Sequence, residues 1–196
     1  MAATVSLVER KRRRARERIV QAADELFSAH GYDKVSVSDI AERAEVGRTT
    51  FFRYFGDKPE VVFAKQQELL DAIAAARDRD AGAGPRTTVE AIEQLRPIVL
   101  DLCSEVTSNP DGYRHHFALL ADHAELRGRD ALKTQQVADA LNELLLHRGC
   151  EPATARLSAE LSLACLQTPI KLANDPETLR ADVNATFDRA LALGRP

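Results

Sequence analysis

Two helix-start signals lie only eleven positions apart in the first third of the chain, and they restrict its fold more than any other feature. Ser36 is followed three residues later by Asp39, which is the arrangement of a capping box. Gly47 occupies the cap position of a second helix, which is predicted to begin at Arg48 and to end near Tyr54. Two short helices joined by a tight break form a helix-turn-helix pattern.

The rest of the chain also predicts helices, and no window shows the alternation of apolar and polar residues that marks a half-buried strand. A first helix ends at Gly31, and a long helix follows Asp57 and Pro59 to about residue 79. Five further helices are expected at residues 87–107, 111–122, 128–147, 152–173 and 176–193. Asp175 is predicted to cap the last of them. The sequence therefore predicts an all-α fold of about nine helices.

The 196 residues, of which 44% are hydrophobic, are enough for two packed units. We expect an N-terminal helix-turn-helix domain over residues 1–58 and a C-terminal helical domain over residues 59–196. The glycine- and proline-rich stretch at residues 80–85 is predicted to separate helices rather than domains. No targeting segment and no apolar run of roughly 18 to 20 residues is present, so we expect a cytoplasmic protein without a membrane partner.

The sequence carries no pattern typical of a metal site or of catalysis. Cys103, Cys150 and Cys165 lack metal-ligand spacing, so we expect buried thiols and neither a metal nor another cofactor. The sequence contains no GxSxG, HExxH, Walker or GxGxxG motif, and we expect no enzyme activity.

Positive charge is concentrated at the start of the chain. Residues 1–58 contain 12 Lys and Arg against 9 Asp and Glu, a net charge of +3, whereas the remainder has a net charge of −6. Seven of the nine residues from Arg10 to Arg18 are basic. This run is predicted to precede the first helix as an arm that contacts phosphates or enters a minor groove. The alternative is a solvated tail.

The second short helix has side chains that suit DNA. Arg48 can donate two hydrogen bonds to a guanine edge, and threonine can contact a thymine methyl group or a phosphate. Four aromatic residues occur within five positions here, interleaved with Arg53. Phe51 and Phe55 are predicted to be buried, because Phe51 stands in a stapling position and Phe55 follows one turn later.

The stretch ADELFSAHGYDKVSVSDIAERAEVGRTTFFRYFGDKPEVV, at about residues 22–62, resembles the TetR family of bacterial repressors. The GYD turn, the S-DIAERA helix and the TFFRYF-DK segment occur in the order of that family. The resemblance covers about a fifth of the chain. It implies that DNA is contacted by nine residues, namely Ser36, Ser38, Arg48, Thr49, Thr50, Phe52, Arg53, Tyr54 and Lys58.

Two positions depart from the family pattern. The family usually has serine or threonine where Gly47 stands and tyrosine where Phe52 stands, and both hydroxyls can contact phosphate. Phe52 can offer only an apolar contact, for example to a thymine methyl group or a sugar.

The resemblance also implies that the C-terminal helices bind a ligand and pair two chains. The predicted dimer residues form two apolar stripes, which are Leu157, Leu161, Ala164 and Cys165, and Val183, Phe187 and Leu191. These stripes could instead belong to the core of one chain. The predicted ligand-binding residues are Cys103, His115, His116, Phe117, Leu120 and Gln167. Because neighbouring helical residues point about 100° apart, His115 and His116 cannot both face inward.

From these features we expect a homodimeric repressor that binds a palindromic DNA operator and is released by a small-molecule effector. Activation of transcription and regulation without a ligand remain open. So do nonspecific nucleic-acid binding and an adaptor with a vestigial DNA module.

Overall fold

The structure is a computed structural model that describes residues 7–77 and 84–193, with side chains described from Arg10 onward. Over these residues the chain forms ten α-helices, one short 3-10 turn and no β-strand, which confirms the all-α prediction. The chain divides into two compact units, and the division falls between Ala64 and Lys65. We call them unit 1 and unit 2.

Unit 1 is built from four helices and a 3-10 turn. They are α1 (Leu7–His30), the turn at Tyr32–Lys34, α2 (Val37–Arg43), α3 (Arg48–Phe55) and α4 (Lys58–Val62). Helix α1 packs against α2 and α4, and α2 packs against α3. The buried side chains of these helices include Ile19, Phe27, Ile40, Phe51 and Val61. Burying each such side chain contributes about 1.5 to 3 kcal/mol, which holds the short helices α2 and α3 in place.

Helix α1 begins at Leu7, so the basic run lies inside the helix and not ahead of it as an arm. The prediction was wrong because it followed the apolar face, which starts only at Ile19. Arginine and lysine are good helix formers, and Arg13 Nε lies 3.1 Å from Glu17 Oε1, four residues later. Local propensity therefore carries the helix beyond its buried face.

The long helix predicted after Asp57 is interrupted at Phe63. Helix α4 ends at Val62 and α5 begins at Ala64, while Phe63 has φ −100° and ψ 18°. The side chain of Phe63 is buried, and the break raises the number of helices in the described residues to ten. The predicted helix end near residue 79 and most of the predicted linker at 80–85 lie outside the described residues.

Unit 2 contains six helices, the first of which begins at the last residue of unit 1. They are α5 (Ala64–Arg77), α6 (Thr88–Val106), α7 (Pro110–Asp122), α8 (Ala124–His147), α9 (Pro152–Leu172) and α10 (Leu179–Ala192). Helix α9 is central, because it packs against α6, α8 and α10. Leu95 of α6, Leu145 of α8 and Phe187 of α10 belong to one hydrophobic core.

A polar connection fixes α10 against α6. Arg96 Nε and Nη2 donate hydrogen bonds to Asn184 Oδ1 at 2.9 and 2.7 Å, and Nη2 also donates to Asp188 Oδ1 at 2.7 Å. The guanidinium is partly buried, so water competes less for these bonds than on an open surface. The contact joins α10 to α6 in addition to the apolar packing of Val183 and Phe187.

Two predicted boundaries in unit 2 were wrong. Gly128 lies inside α8, which begins at Ala124, although a mid-helix glycine costs about 1 kcal/mol relative to alanine. Helix α10 begins at Leu179 and not at Pro176. Asp175 Oδ1 accepts a hydrogen bond from Glu177 N at 3.0 Å, so it caps a turn that precedes the helix.

The three cysteines are buried and free, as predicted. Burial raises the pKa of the Cys103 thiol to about 12. Within residues 7–77 and 84–193, no helix combines the length and the apolar character needed to cross a membrane. In the same ranges no three His, Cys, Asp or Glu side chains are grouped as metal ligands would be.

Candidate nucleic-acid interface

The turn between α2 and α3 spans four residues, from Ala44 to Gly47. Glu45 has φ 53°, the left-handed region that residues other than glycine rarely adopt. Val46 N donates to Ala41 O at 2.9 Å and closes the turn, and Gly47 O accepts from Thr50 N at 2.8 Å to start α3. The backbone therefore fixes the angle at which α3 leaves α2.

The start of α2 is held by a complete capping box. Asp39 N donates to Ser36 Oγ at 3.2 Å, and Ser36 N donates to Asp39 Oδ2 at 2.7 Å. The hydrogen bonds from the Ser36 backbone and side chain lower the pKa of Asp39 below its usual value. Ser36 and Ser38 are both exposed at this end of the helix.

Helix α3 has one buried side and one solvent-facing side. Phe51 is 0% exposed and Phe55 is 5% exposed, which confirms both as core residues. The exposed predicted contacts are Arg48, Thr49, Phe52 and Arg53, and the half-buried ones are Thr50 and Tyr54. The aromatic side chains thus anchor α3 from behind and leave an arginine- and threonine-rich surface outward.

Phe52 is the unusual member of this surface. Its side chain is 44% exposed, although a phenylalanine normally gains by burial. Its ring contacts the buried Phe51 ring edge-on, with 5.7 Å between the centroids and an interplanar angle of 87°. One ring edge is therefore held by the core while the remainder faces solvent.

Lys58 has a second set of contacts that the sequence did not indicate. Its Nζ donates to Tyr32 O at 3.0 Å and to Val35 O at 3.1 Å, and lies 4.0 Å from the centre of the Tyr32 ring. Two of the three ammonium N–H groups are thus bonded within unit 1. Lys58 joins the 3-10 turn to the start of α4.

Two further arginines connect the helices of unit 1. Arg43 Nε and Nη2 donate to Glu25 Oε2 at 2.9 and 2.5 Å, which ties α2 to α1 and lowers the pKa of Glu25. Arg16 Nη2 donates to Ala64 O, and its guanidinium lies 5.5 Å from the centre of the Phe55 ring. Sequence reasoning missed both roles, because each joins residues far apart in the chain.

The predicted ligand-binding residues lie on three helices of unit 2. Cys103 and Leu120 are buried, and the half-buried ones are His115, His116, Phe117 and Gln167. On α7, Phe117 packs against Tyr113 with 4.7 Å between ring centroids. Tyr113, which was not predicted, donates through its hydroxyl to Asn174 Oδ1 at 2.5 Å. The Nε2 atom of His115 is buried with no hydrogen-bond partner within the described chain.

The predicted dimer residues separate into two groups. Leu157, Leu161 and Ala164 lie on the exposed side of α9, where the leucines are 51% and 37% exposed. The other four are core residues of unit 2, namely Cys165, Val183, Phe187 and Leu191. The prediction that these four pair two chains is corrected: the inward side of α10 packs on α6 and α9 of the same chain.

The fold of unit 1 and the exposed side of α3 define a helix-turn-helix DNA-binding domain. Residues 19–64 match the sequence profile described as "Bacterial regulatory proteins, tetR family". Over residues 19–64 the chain is thus similar to the TetR family of transcriptional regulators.

Relatives in other bacteria share this region. The chain is 42% identical over 80 residues to the HTH-type transcriptional regulator TcmR of Streptomyces glaucescens, covering 40% of this chain and 35% of TcmR. It is 30% identical over 115 residues to HbdR, an HTH-type transcriptional regulator of Aromatoleum sp. strain CIB, covering 57% of this chain and 48% of HbdR. The chain thus spans about a third to a half of the length of these relatives.

Structural similarity extends over both units. The solved SmeT–triclosan complex matches with a TM-score of 0.59 at 17% identity, covering 91% of this chain and 90% of that chain. SmeT is the repressor of the Stenotrophomonas maltophilia multidrug efflux pump SmeDEF. At this identity the likeness concerns the fold.

Proposed function

We propose that this protein is a sequence-specific transcriptional regulator that binds operator DNA through α3, acts as a homodimer on a palindromic site, and is released by a small-molecule effector. The observation that carries the proposal is that α3 has one buried side and one solvent-exposed side. Phe51 and Phe55 are buried, whereas Arg48, Thr49 and Arg53 face solvent. A helix held from behind in this way can enter a major groove with its N-terminal residues.

Each exposed residue of unit 1 has a chemical role in this proposal. Arg48, in the first turn of α3, donates to a guanine edge, and Thr49 and Thr50 contact a thymine methyl group or neighbouring polar groups. Ser36 and Ser38, at the start of α2, donate to phosphate oxygens. Arg53 and Tyr54 lie close together, with 5.4 Å between the guanidinium and the ring centre, and reach the flanking phosphates.

Dimer formation is supported by the exposed side of α9. A two-turn helix reads too few base pairs for useful specificity, so two copies are needed. Leu157, Leu161 and Ala164 form an exposed apolar stripe, and α10 exposes the small residues Ala181 and Ala185 on its outer side. Small side chains allow close approach of helices. We assign the pairing surface to the outer sides of α9 and α10.

Control by a small molecule is supported by polar groups in unit 2. The buried Nε2 atom of His115 has no partner within the described residues, and the aromatic group of Tyr113, His116 and Phe117 adjoins it along α7. The related fold of SmeT holds triclosan. An effector that favours one arrangement of the dimer by about 1 to 3 kcal/mol would weaken operator binding 5- to 150-fold.

The same proposal covers where the protein acts, whether it catalyses a reaction, and whether it represses or activates transcription. A regulator of this kind acts on bacterial DNA in the cytoplasm and catalyses no reaction, in keeping with its relatives, which are transcriptional regulators. Whether binding represses or activates depends on where the operator lies relative to a promoter. An activator, or a regulator without an effector, would use the same DNA-binding surface.

Selection of bound duplexes from random DNA by the full chain tests the proposal. We expect one palindromic sequence, with half-site centres about 34 Å or a multiple of that distance apart, bound at least about a thousandfold more tightly than unrelated DNA. Enrichment of no sequence, with binding that depends only on salt, would identify a nonspecific binder. A metabolite screen for release of the selected duplex then tests the effector.

A further inference from the structure

The seven basic residues in the first half of α1 are not equivalent. Arg13 pairs with Glu17, and Arg16 bonds to the carbonyl oxygen of Ala64. The exposed residues of this run without an ion pair, within the part of the chain that the structure describes, are Arg10, Lys11, Arg12 and Arg14. Only some of the charge therefore serves the fold.

Several of these side chains share one side of the helix. We use the name basic face for four exposed residues on α1, which are Arg10, Lys11, Arg14 and Arg18. At about 100° per residue the four side chains span an arc of about 100° on the helix, with Arg14 and Arg18 between the neighbours Arg10 and Lys11 at its two edges. Ile19, which is buried, points to the other side. An open concavity runs along this face and is lined in part by Lys11, Arg14 and Arg18.

Repulsion between the charges of the basic face destabilises α1 when no partner is bound. Arg10, Arg14 and Arg18 follow each other at four-residue spacing, and like charges so placed repel by a few tenths of a kcal/mol per pair. Binding of a polyanion would remove this repulsion. The charge pattern thus suits an anionic partner with regularly spaced charges.

The basic face begins beside the helix-turn-helix. Arg18 Nη1 lies 3.7 Å from Glu45 Oε2, and Glu45 is part of the turn between α2 and α3. From there the face extends about 12 Å along α1, at 1.5 Å per residue. When α3 enters a major groove, the phosphate backbone borders the groove next to the turn.

The widths of a helix and of a minor groove determine whether the basic run can enter the groove or can only contact phosphates on its rim. An α-helix with side chains is about 10 to 12 Å wide, whereas a minor groove is about 6 Å wide. The basic run cannot enter a minor groove as an extended arm would, because it is helical. Long arginine and lysine side chains can instead reach out to phosphates on the rim.

We propose that the basic face binds the phosphates of DNA that flanks each operator half-site, and so extends the contact beyond the base pairs that α3 reads. The proposal rests on the proposed function, because it assumes that α3 lies in the groove. In this proposal Arg10, Lys11 and Arg14 contribute to the affinity for DNA but not to the preference for particular bases.

The test compares two variants of the full chain. The first is Arg10→Gln/Lys11→Gln/Arg14→Gln. The control makes the same change of charge on exposed residues of unit 2 that lie outside α9 and α10, as Arg86→Gln/Arg114→Gln/Arg127→Gln. The probe is the duplex that the wild-type chain selects from random DNA. It is made with flanks of about one or about six base pairs, at a rise of 3.4 Å per base pair.

We expect the first variant to bind the long-flank duplex about tenfold or more weakly, with a salt slope smaller by about 0.9 for each lost contact, or about 2.7 per protomer. The wild-type and control proteins should bind the long-flank duplex more tightly than the short-flank duplex, while the first variant should show no such preference. Its selected sequence should stay unchanged. Circular dichroism must show equal helicity for all three proteins.

Equal binding and equal flank preference of the first variant and the control would overturn the proposal. A changed base preference in the first variant would also overturn it, because the basic face would then be reading sequence. If the wild-type chain selects no sequence, it is the proposed function that fails, and the two failures are thereby distinguished.

Discussion

The ammonium of Lys58 lies 4.0 Å from the centre of the Tyr32 ring, 26 positions away in the chain, and donates to the carbonyl oxygen of the same residue at 3.0 Å. A second hydrogen bond reaches Val35 O at 3.1 Å. Tyr32 and Val35 are both buried, so these bonds form where water competes poorly. Lys58 therefore links the segment that leads into α2 with the start of α4.

Lys58→Met should destabilise unit 1. Methionine keeps much of the apolar stem but removes the donor to two carbonyl oxygens. Tyr32 O still accepts from Val35 N, whereas Val35 O loses the hydrogen bond from Lys58, and leaving such a group unpaired costs about 1 to 3 kcal/mol. Native-state hydrogen exchange of the α2 and α4 amides would measure the loss. Lys34→Met is the matched control, because Lys34 is an exposed lysine of the same turn and should change stability by no more than about 0.5 kcal/mol.

The opposite result in these two measurements would show that Lys58 binds DNA. If Lys58→Met left exchange unchanged and lowered the salt slope of DNA binding by about 0.9, its ammonium would be a phosphate ligand rather than a link within the fold.

The capping box makes the stability of α2 depend on pH. Because hydrogen bonds from Ser36 lower the pKa of Asp39 in the folded state, its carboxylate stabilises the fold above the unfolded pKa of about 4. That contribution is lost as pH falls through the lowered folded pKa. Asp39→Asn should therefore reduce the difference in unfolding free energy between neutral and acid pH. Denaturant unfolding of both proteins across this range measures the effect.

Ser36→Ala provides the companion measurement. It removes the oxygen that accepts from Asp39 N, and loss of such a cap costs about 1 kcal/mol near neutral pH. If Asp39→Asn kept the wild-type pH dependence in full, other carboxylates such as Glu25 would account for it.

The helix-turn-helix could be predicted in detail because its determinants are local. Ser36 and Asp39 are three residues apart, and the burial of Phe51 and Phe55 follows from their spacing of one turn. Each feature can be recognised within a window of a few residues. The polar and apolar sides of α3 follow from the same periodicity.

Other features depend on contacts between distant segments. The carbonyl partners of Lys58 and Arg16 lie more than 20 residues away in the chain, so no local pattern could reveal them. An apolar stripe also looks the same whether it faces the core or a partner. Phe187 packs inward in the core of unit 2, which only the structure shows.

Arg48→Ala should relax base preference at one position of each half-site. A guanidinium that donates two hydrogen bonds to guanine contributes about 1 to 3 kcal/mol of discrimination, and Arg48 is exposed in the first turn of α3. Repeating the selection with the variant measures the change. Retention of the wild-type sequence profile would exclude Arg48 from base recognition. Arg86→Ala in unit 2 is the control and should leave the profile intact.

The ring of Phe52 should contact a thymine methyl group of the operator. Its exposed ring packs against Phe51, so it presents an apolar surface among the residues that we propose to face DNA. Replacing the contacted thymine by uracil removes one methyl group and should weaken wild-type binding by about 0.8 kcal/mol, roughly fourfold. Phe52→Ala should bind the thymine and uracil duplexes equally. Equal binding of both duplexes by the wild-type chain, at every thymine of the site, would exclude this role.

Charges on the outer side of α9 should separate the two chains of the proposed dimer. Leu157 and Leu161 are exposed in one chain, and burial of a leucine contributes about 1.5 to 3 kcal/mol. Only the exposed 51% and 37% of these side chains can be buried on pairing, so the four leucines of the proposed dimer contribute about 3 to 5 kcal/mol, and Leu157→Glu/Leu161→Glu should raise the dimer dissociation constant by about two to four orders of magnitude.

Analytical ultracentrifugation at micromolar concentration checks this expectation. The control is Leu132→Glu/Leu146→Glu, which alters two exposed leucines of α8 and should leave the dimer intact. Because all four positions are exposed in one chain, both variants should keep the helicity of the wild type. The α9 variant should also lose tight binding to a palindromic duplex while retaining weak binding to a half-site. A dimer that survives the α9 change and dissociates with the α8 change would move the pairing surface to α8.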